Sequence, residues 1–152
     1  MNAKGFEEIY NRTVVVTLAL LFSIIMFVSI SWIVDFSHSE IPFELEIALW
    51  ALIVLLAVGV LLLRRFFFSW DRLKAIATSE GADYLLAELQ KKTILLAIIA
   101  EAITLVGFII VVLTGNKSSI LRAAAVSLIL FVMIFPRKSL WGKVVSAAEK
   151  LH

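Results

Sequence analysis

Four long apolar runs divide this chain, at about 13–34, 45–63, 93–113 and 118–136, and polar segments lie between them. Each run carries at most one charged residue. An α-helix needs ~20 apolar residues, rising 1.5 Å each, to cross the ~30 Å hydrocarbon layer of a bilayer. The uninterrupted part of the fourth run is short, about 120–135. It gains length from 117–119 and from flanking side chains that snorkel toward water. Backbone groups in lipid have no water to bond, so spans of this kind must be helices. The first run is longer than the ~7–15 apolar residues of a cleaved leader, and no small-x-small site follows it. It is read as a permanent span.

The segments between the runs also carry helical signals. Phe66, Trp70, Leu73 and Ile76 recur at helical spacing, with Arg72 and Lys74 off the stripe. This predicts an interfacial helix or an extension of the second span, broken at Gly81. From Ala82 the chain can run on into the third span. After Pro136, residues Leu140, Trp141, Val144, Val145, Ala148 and Leu151 form one apolar face, with Lys143 and Lys150 off it. That pattern predicts an amphipathic interfacial helix. Trp70 and Trp141 stand where an aromatic belt would, and Lys143 and Lys150 would hold the anionic inner leaflet. Pro42 suits the first turn of the second helix. Gly115 and Asn116 suit the end of the third. No internal repeat or linker marks a second domain, so residues 1–152 form a single transmembrane domain. The expected fold is all-α: an integral membrane four-helix bundle of two hairpins, with a helical middle loop and an amphipathic C-terminal helix.

Composition agrees with this reading. The 152 residues are 62% hydrophobic and 17% charged, with a mean hydropathy of +1.03. Soluble domains are about half apolar. Of the 14 lysines and arginines, all but Lys117 and Arg122 fall in the two tails or the middle loop. The first loop carries Asp35, Glu40, Glu44 and Glu46 and no basic residue. The positive-inside rule then puts both termini and the middle loop in the cytoplasm, with the spans in the cell's inner (plasma) membrane. The net charge of +2, spread along such a chain, does not suit nucleic-acid binding. The absence of cysteine excludes disulfides and thiol chemistry.

Candidate chemistry is sparse. Asp35, His38 and Glu40 match no metal-ligand spacing and are read as a solvated acidic loop. No nucleophile triad, phosphate loop or paired carboxylates occur. The expectation is a non-enzymatic protein that needs no cofactor and no metal. Glu101 is the exception to the general blandness. At 1.5 Å per residue it lies ~13.5 Å beyond Lys92, close to midplane. An ionised carboxylate there costs ~2.5–3.5 kcal/mol on insertion scales, and desolvation favours its protonated form. Such a group turns inward and is a candidate proton or ion site. Ala97, Ala100, Thr104 and Gly107 share its side of the helix, and small residues allow a close helix approach. Counted the same way, Ser23 lies ~15 Å from Thr13 and Ser127 ~13.5 Å from Pro136, both at the glutamate's level. Ser23, Thr104 and Ser127 are its candidate neighbours. Arg122, about a turn from the outer end, is expected to snorkel outward.

Two resemblances follow from these residues. The stretch Leu89-Gln90-Lys91-Lys92-Thr93-Ile94, then Ala100-Glu101-Ala102 and Leu105-Val106-Gly107-Phe108, resembles the ion-binding second helix of rotary ATPase c subunits. That resemblance implies proton or sodium binding at Glu101. The regularly spaced glycines of a c-subunit first helix are missing here: the second span has only Gly59 and the first has none. The second half, with Ala100-Glu101-Ala102, Leu113-Thr114-Gly115-Asn116 and Phe135-Pro136-Arg137, is similar to a loosely defined group of uncharacterised small bacterial inner-membrane proteins. Two functions are therefore expected to compete. One is an accessory or scaffold protein acting on itself, as a homo-oligomer, or on a membrane-protein partner. The other is a proton- or ion-linked transport component built around Glu101.

Overall fold

In a computed structural model, which describes residues 3–36 and 42–149, all regular structure is α-helical. Helix α1 spans Ala3–Ile33, α2 Phe43–Phe67, α3 Trp70–Thr114, α4 Ser118–Ile134 and α5 Lys138–Glu149. Among the described residues, four helices are long and apolar enough to cross a membrane. The residues His38, Glu40, Lys150, Leu151 and His152 fall outside the described ones, as does the side chain of Ala148.

The helix ends follow local chemistry. Pro42 stands at the N-cap of α2, one position earlier than a first-turn proline, and its carbonyl accepts from Leu45 N at 3.0 Å. Glu44 and Glu46 sit in the first turn of α2, and Arg64 and Arg65 in its last. Those charges oppose the helix dipole at each end. Helix α3 ends at Gly115, whose N–H donates to Val111 O at 2.7 Å. Asn116 Oδ1 then accepts from the Ser118 N–H at 3.1 Å and the Ser118 hydroxyl at 2.8 Å, starting α4.

The middle segment does not extend α2. The chain breaks at Phe68 and Ser69 and restarts as α3. Within α3, Gly81 takes φ 85° and ψ 174°, a conformation open to glycine and costly to residues with a Cβ. It kinks the helix between a shorter amphipathic part and the long apolar part.

Helix α3 is the hub. It packs against α1, α2, α4 and α5. Its stripe Leu95, Ile98, Leu105, Ile109 and Val112 faces outward, while Leu96, Ala97, Ala100, Ile103 and Ile110 are fully buried. Helix α2 by contrast buries only Ile53 and Val60 and exposes Leu52, Val54, Leu55, Val58, Leu61 and Leu62. Gly107 is buried against α4, where an added Cβ would overlap the Cβ of Ala123. The backbones meet there because neither residue has anything larger than a methyl group.

A second, smaller core lies beyond the long apolar segments. Leu73, Ala77, Leu85, Leu86 and Leu89 of α3 enclose Trp141 and Val145 of α5, and Phe6, Ile9 and Tyr10 of α1 pack on them. This corrects the expectation for Trp141. It is 5% exposed and lies in a protein core rather than a surface belt. Its ring meets Tyr10 edge-on at 5.9 Å, and the Tyr10 hydroxyl donates to Pro136 O at 3.2 Å. The apolar face of α5 docks onto the chain because α3 and α1 present a matching apolar surface. Leu140 remains outside that contact at 52% exposure.

Candidate functional site

Among the described residues, three of the buried polar side chains bond a carbonyl of their own helix. Thr13 and Thr17 hydroxyls donate to Ile9 O and Thr13 O, each at 2.8 Å, and Ser31 donates to Val28 O at 2.7 Å. Back-bonding of this kind satisfies a hydroxyl without linking helices. Two serines reach another helix, and both converge on the Glu101 turn.

Ser23, on α1, contacts the Glu101 carboxyl of α3 through Oγ and Oε1. The same Oγ lies 2.8 Å from Leu20 O. A hydroxyl has one hydrogen and two lone pairs, and a backbone carbonyl can only accept. The trio therefore suits either charge state. With Glu101 ionised, Ser23 donates to the carboxylate. With Glu101 protonated, the carboxyl donates to Ser23 Oγ, and Ser23 turns its hydrogen to Leu20 O. Gain or loss of a proton at Glu101, together with rotation of the Ser23 hydroxyl, connects the two.

Ser127, on α4, does not reach the carboxyl. Its hydroxyl donates to Ala100 O at 2.5 Å. That carbonyl belongs to the residue before Glu101, so α4 grips the backbone of the same turn that α1 grips by side chain. Thr104 is fully buried one turn on, and its Oγ1 has no hydrogen-bond partner among the described residues. The usual acceptor for a threonine in a helix is the carbonyl four residues back. Here that is Ala100 O, which Ser127 already occupies. Of the expected neighbours, the structure thus brings Ser23 to the carboxyl, Ser127 to the adjacent backbone, and Thr104 into the same packed turn without a bond.

The remaining candidates lie apart. Trp70 begins α3 and is 56% exposed, Lys143 is exposed on α5, and Lys150 is outside the described residues. Arg122 is exposed on α4. No group of three metal-ligating side chains occurs among the described residues.

One buried charge was not singled out in the sequence. Lys92 is 6% exposed; its Nζ lies 3.1 Å from Glu88 Oε1, off hydrogen-bond alignment, and 5.4 Å from the centre of the Phe67 ring. The acid–base pair four residues apart is a readable signal of this contact. Ion pairs also tie α1 to the α4–α5 segment at both ends: Lys117 to Asp35 and Lys138 to Glu7, each at 2.9 Å. The lysine partner, through its hydrogen bond first and its charge second, holds Asp35 and Glu7 below the usual carboxylate range. Lys138 is raised in turn, chiefly by its bond to Glu7.

No protein-family model, no curated protein and no solved structure matches this chain.

Proposed function

We propose that this chain is a multi-pass inner-membrane protein that acts by association rather than catalysis, as an accessory or scaffold protein. In this reading the four apolar helices form a bundle of two hairpins across the bilayer. Both termini and the Gly81 region lie in the cytoplasm, where the basic residues concentrate. The observation that carries the reading is the hub helix. Helix α3 continues past its long apolar part, kinks at Gly81, and forms a second core with α1 and α5 from residues on both sides of the kink. A membrane anchor so built presents a stable helical platform on its cytoplasmic side, the form expected of a protein that holds a second copy or another membrane protein. The exposed apolar faces of α1 and α2 suit lipid or a neighbouring span.

The test uses single-cysteine chains in native membranes. Crosslinking from position 79, on the platform, is expected to give adducts of discrete mass, and crosslinking from position 118, at the opposite end, is expected to give fewer. An unadducted chain at position 79 removes the reading.

A second reading, a proton-linked component, draws on the ability of Ser23 to serve Glu101 in both charge states. Its test is proton flux in liposomes holding the purified chain. A flux that Glu101→Gln abolishes would put this reading first.

A further inference from the structure

A groove of about 400 Å³ opens at the end of the molecule where α2 and α4 finish and α5 begins. Leu73, Leu89 and Leu96 of α3 form its buried floor. Val132 and Met133 of α4, 70% and 40% exposed, form an open apolar side. Two arginines complete it: Arg64 from the last turn of α2 and Arg137 from the α4–α5 connection. Neither has an ion-pair partner among the described residues, whereas Lys92, Lys117 and Lys138 each have one.

The groove selects its occupant by chemistry. Two arginines without ion-pair partners at one groove favour an anionic occupant, and guanidinium forks match phosphate oxygens in pairs. The apolar side needs hydrocarbon. A small soluble anion would use the arginines and make no use of the apolar side, and a zwitterionic lipid would leave the cations half matched. Depth adds a second constraint. Leu96 is four residues past Lys92, so the groove reaches ~6 Å into the apolar layer from the level of that lysine. Its volume is within the ~300–1,000 Å³ of ligand sites. It has room for a headgroup and the upper part of a chain, with the rest of the chain lying in the bilayer.

We propose that this groove binds an acidic phospholipid, its phosphate between Arg64 and Arg137 and an acyl chain along Leu96, Val132 and Met133. Basic pockets between spans on the cytoplasmic side are suited to such headgroups. The assignment to the cytoplasmic leaflet rests on the orientation proposed above, and the binding chemistry does not.

The experiment is native mass spectrometry of the full chain in detergent, titrated with phosphatidylglycerol, with phosphatidylcholine of the same chains, and with inorganic phosphate. Retention of phosphatidylglycerol over phosphatidylcholine is expected. Arg64→Gln and Arg137→Gln should each weaken it about tenfold, as for the loss of a charge-assisted bond. Arg65→Gln, next along α2 but outside the groove, should not. Val132→Trp, which keeps both arginines and fills the apolar side, should weaken it as well. Equal retention of the two lipids, or an equal effect of Arg65→Gln, overturns the site in favour of general basic attraction. Displacement of the lipid by inorganic phosphate at equal concentration overturns the lipid assignment. Orientation is judged separately, by an impermeant thiol reagent on intact cells carrying Arg65→Cys. Labelling there with lipid selectivity intact would move the site to the outer leaflet and overturn only the orientation.

Discussion

The Ser23 hydroxyl of α1 meets the Glu101 carboxyl of α3, while Ser127 of α4 bonds the carbonyl of Ala100 beside it, so one turn of α3 is held from two sides by two different kinds of bond. A carboxyl in an apolar layer needs such a partner. Bonds of this type in membranes average ~0.6 kcal/mol and reach ~1.7. Ser23→Ala should therefore cost about 1 kcal/mol in detergent melting. Glu101→Gln should cost less, since its amide can donate to Ser23 Oγ. A loss of several kcal/mol from Glu101→Gln would show that the charge itself holds the helices together.

Gly107 and Ala123 offer a steric test. Gly107→Ala puts a methyl group onto that of Ala123 and should destabilise by about 1–3 kcal/mol, as overpacking does. Ala123→Gly in the same chain should return most of the loss. Absence of rescue, measured by thermal melting of the double variant, would mean that the close approach of α3 and α4 is not the cause.

Trp141 belongs to a protein core, so Trp141→Ala should cost about 3–5 kcal/mol in the unfolding of that core. Hydrogen exchange should show α5 protected in the native chain and unprotected in the variant. Rapid exchange of α5 in the native chain would mean that the helix is not docked.

The pair Glu7–Lys138 makes that docking depend on pH. The Glu7 carboxyl is held below its usual range, so its contribution is complete above that range and fades as pH falls through the lowered value. Lys138 is raised, so its contribution is complete below the usual lysine range and fades as pH rises through the raised value. Protection of α5 should thus be level across neutral pH and decline at both extremes. The acid decline should vanish in Glu7→Gln. Both groups are exposed, so salt should flatten the profile.

The proposed topology is checked with cysteines at Ser39 and Ser79. An impermeant thiol reagent should label position 39 in intact cells and leave position 79 unlabelled. The reverse pattern would invert the protein.

Much was legible along the chain. The four apolar runs, the break at Gly81, the stop at Gly115 and the inward side of Glu101 all follow from propensity, period and composition, which act over a few residues. Depth was legible too, because helical rise accumulates by a constant amount per residue. That is why Ser23 and Ser127 could be placed level with Glu101 before any packing was known. Depth does not give rotation about the axis. Which serine reaches the carboxyl and which takes the backbone depends on how α1 and α4 are turned against α3. That is a property of all the contacting side chains together, with Gly107 and Ala123 among them. The same limit explains Trp141. An amphipathic stripe shows that a helix will bury one face, and it does not say against what. Lipid and the surface formed by Leu85, Leu89 and Tyr10 are equally apolar, and only the tertiary fold brings that surface to α5. Arg64 and Arg137 lie far apart in the chain and share one groove for the same reason. The sequence by itself determined where the helices run and what each must hide. The packing of one helix on another decided which groups meet, because contact between distant residues is set by the whole fold.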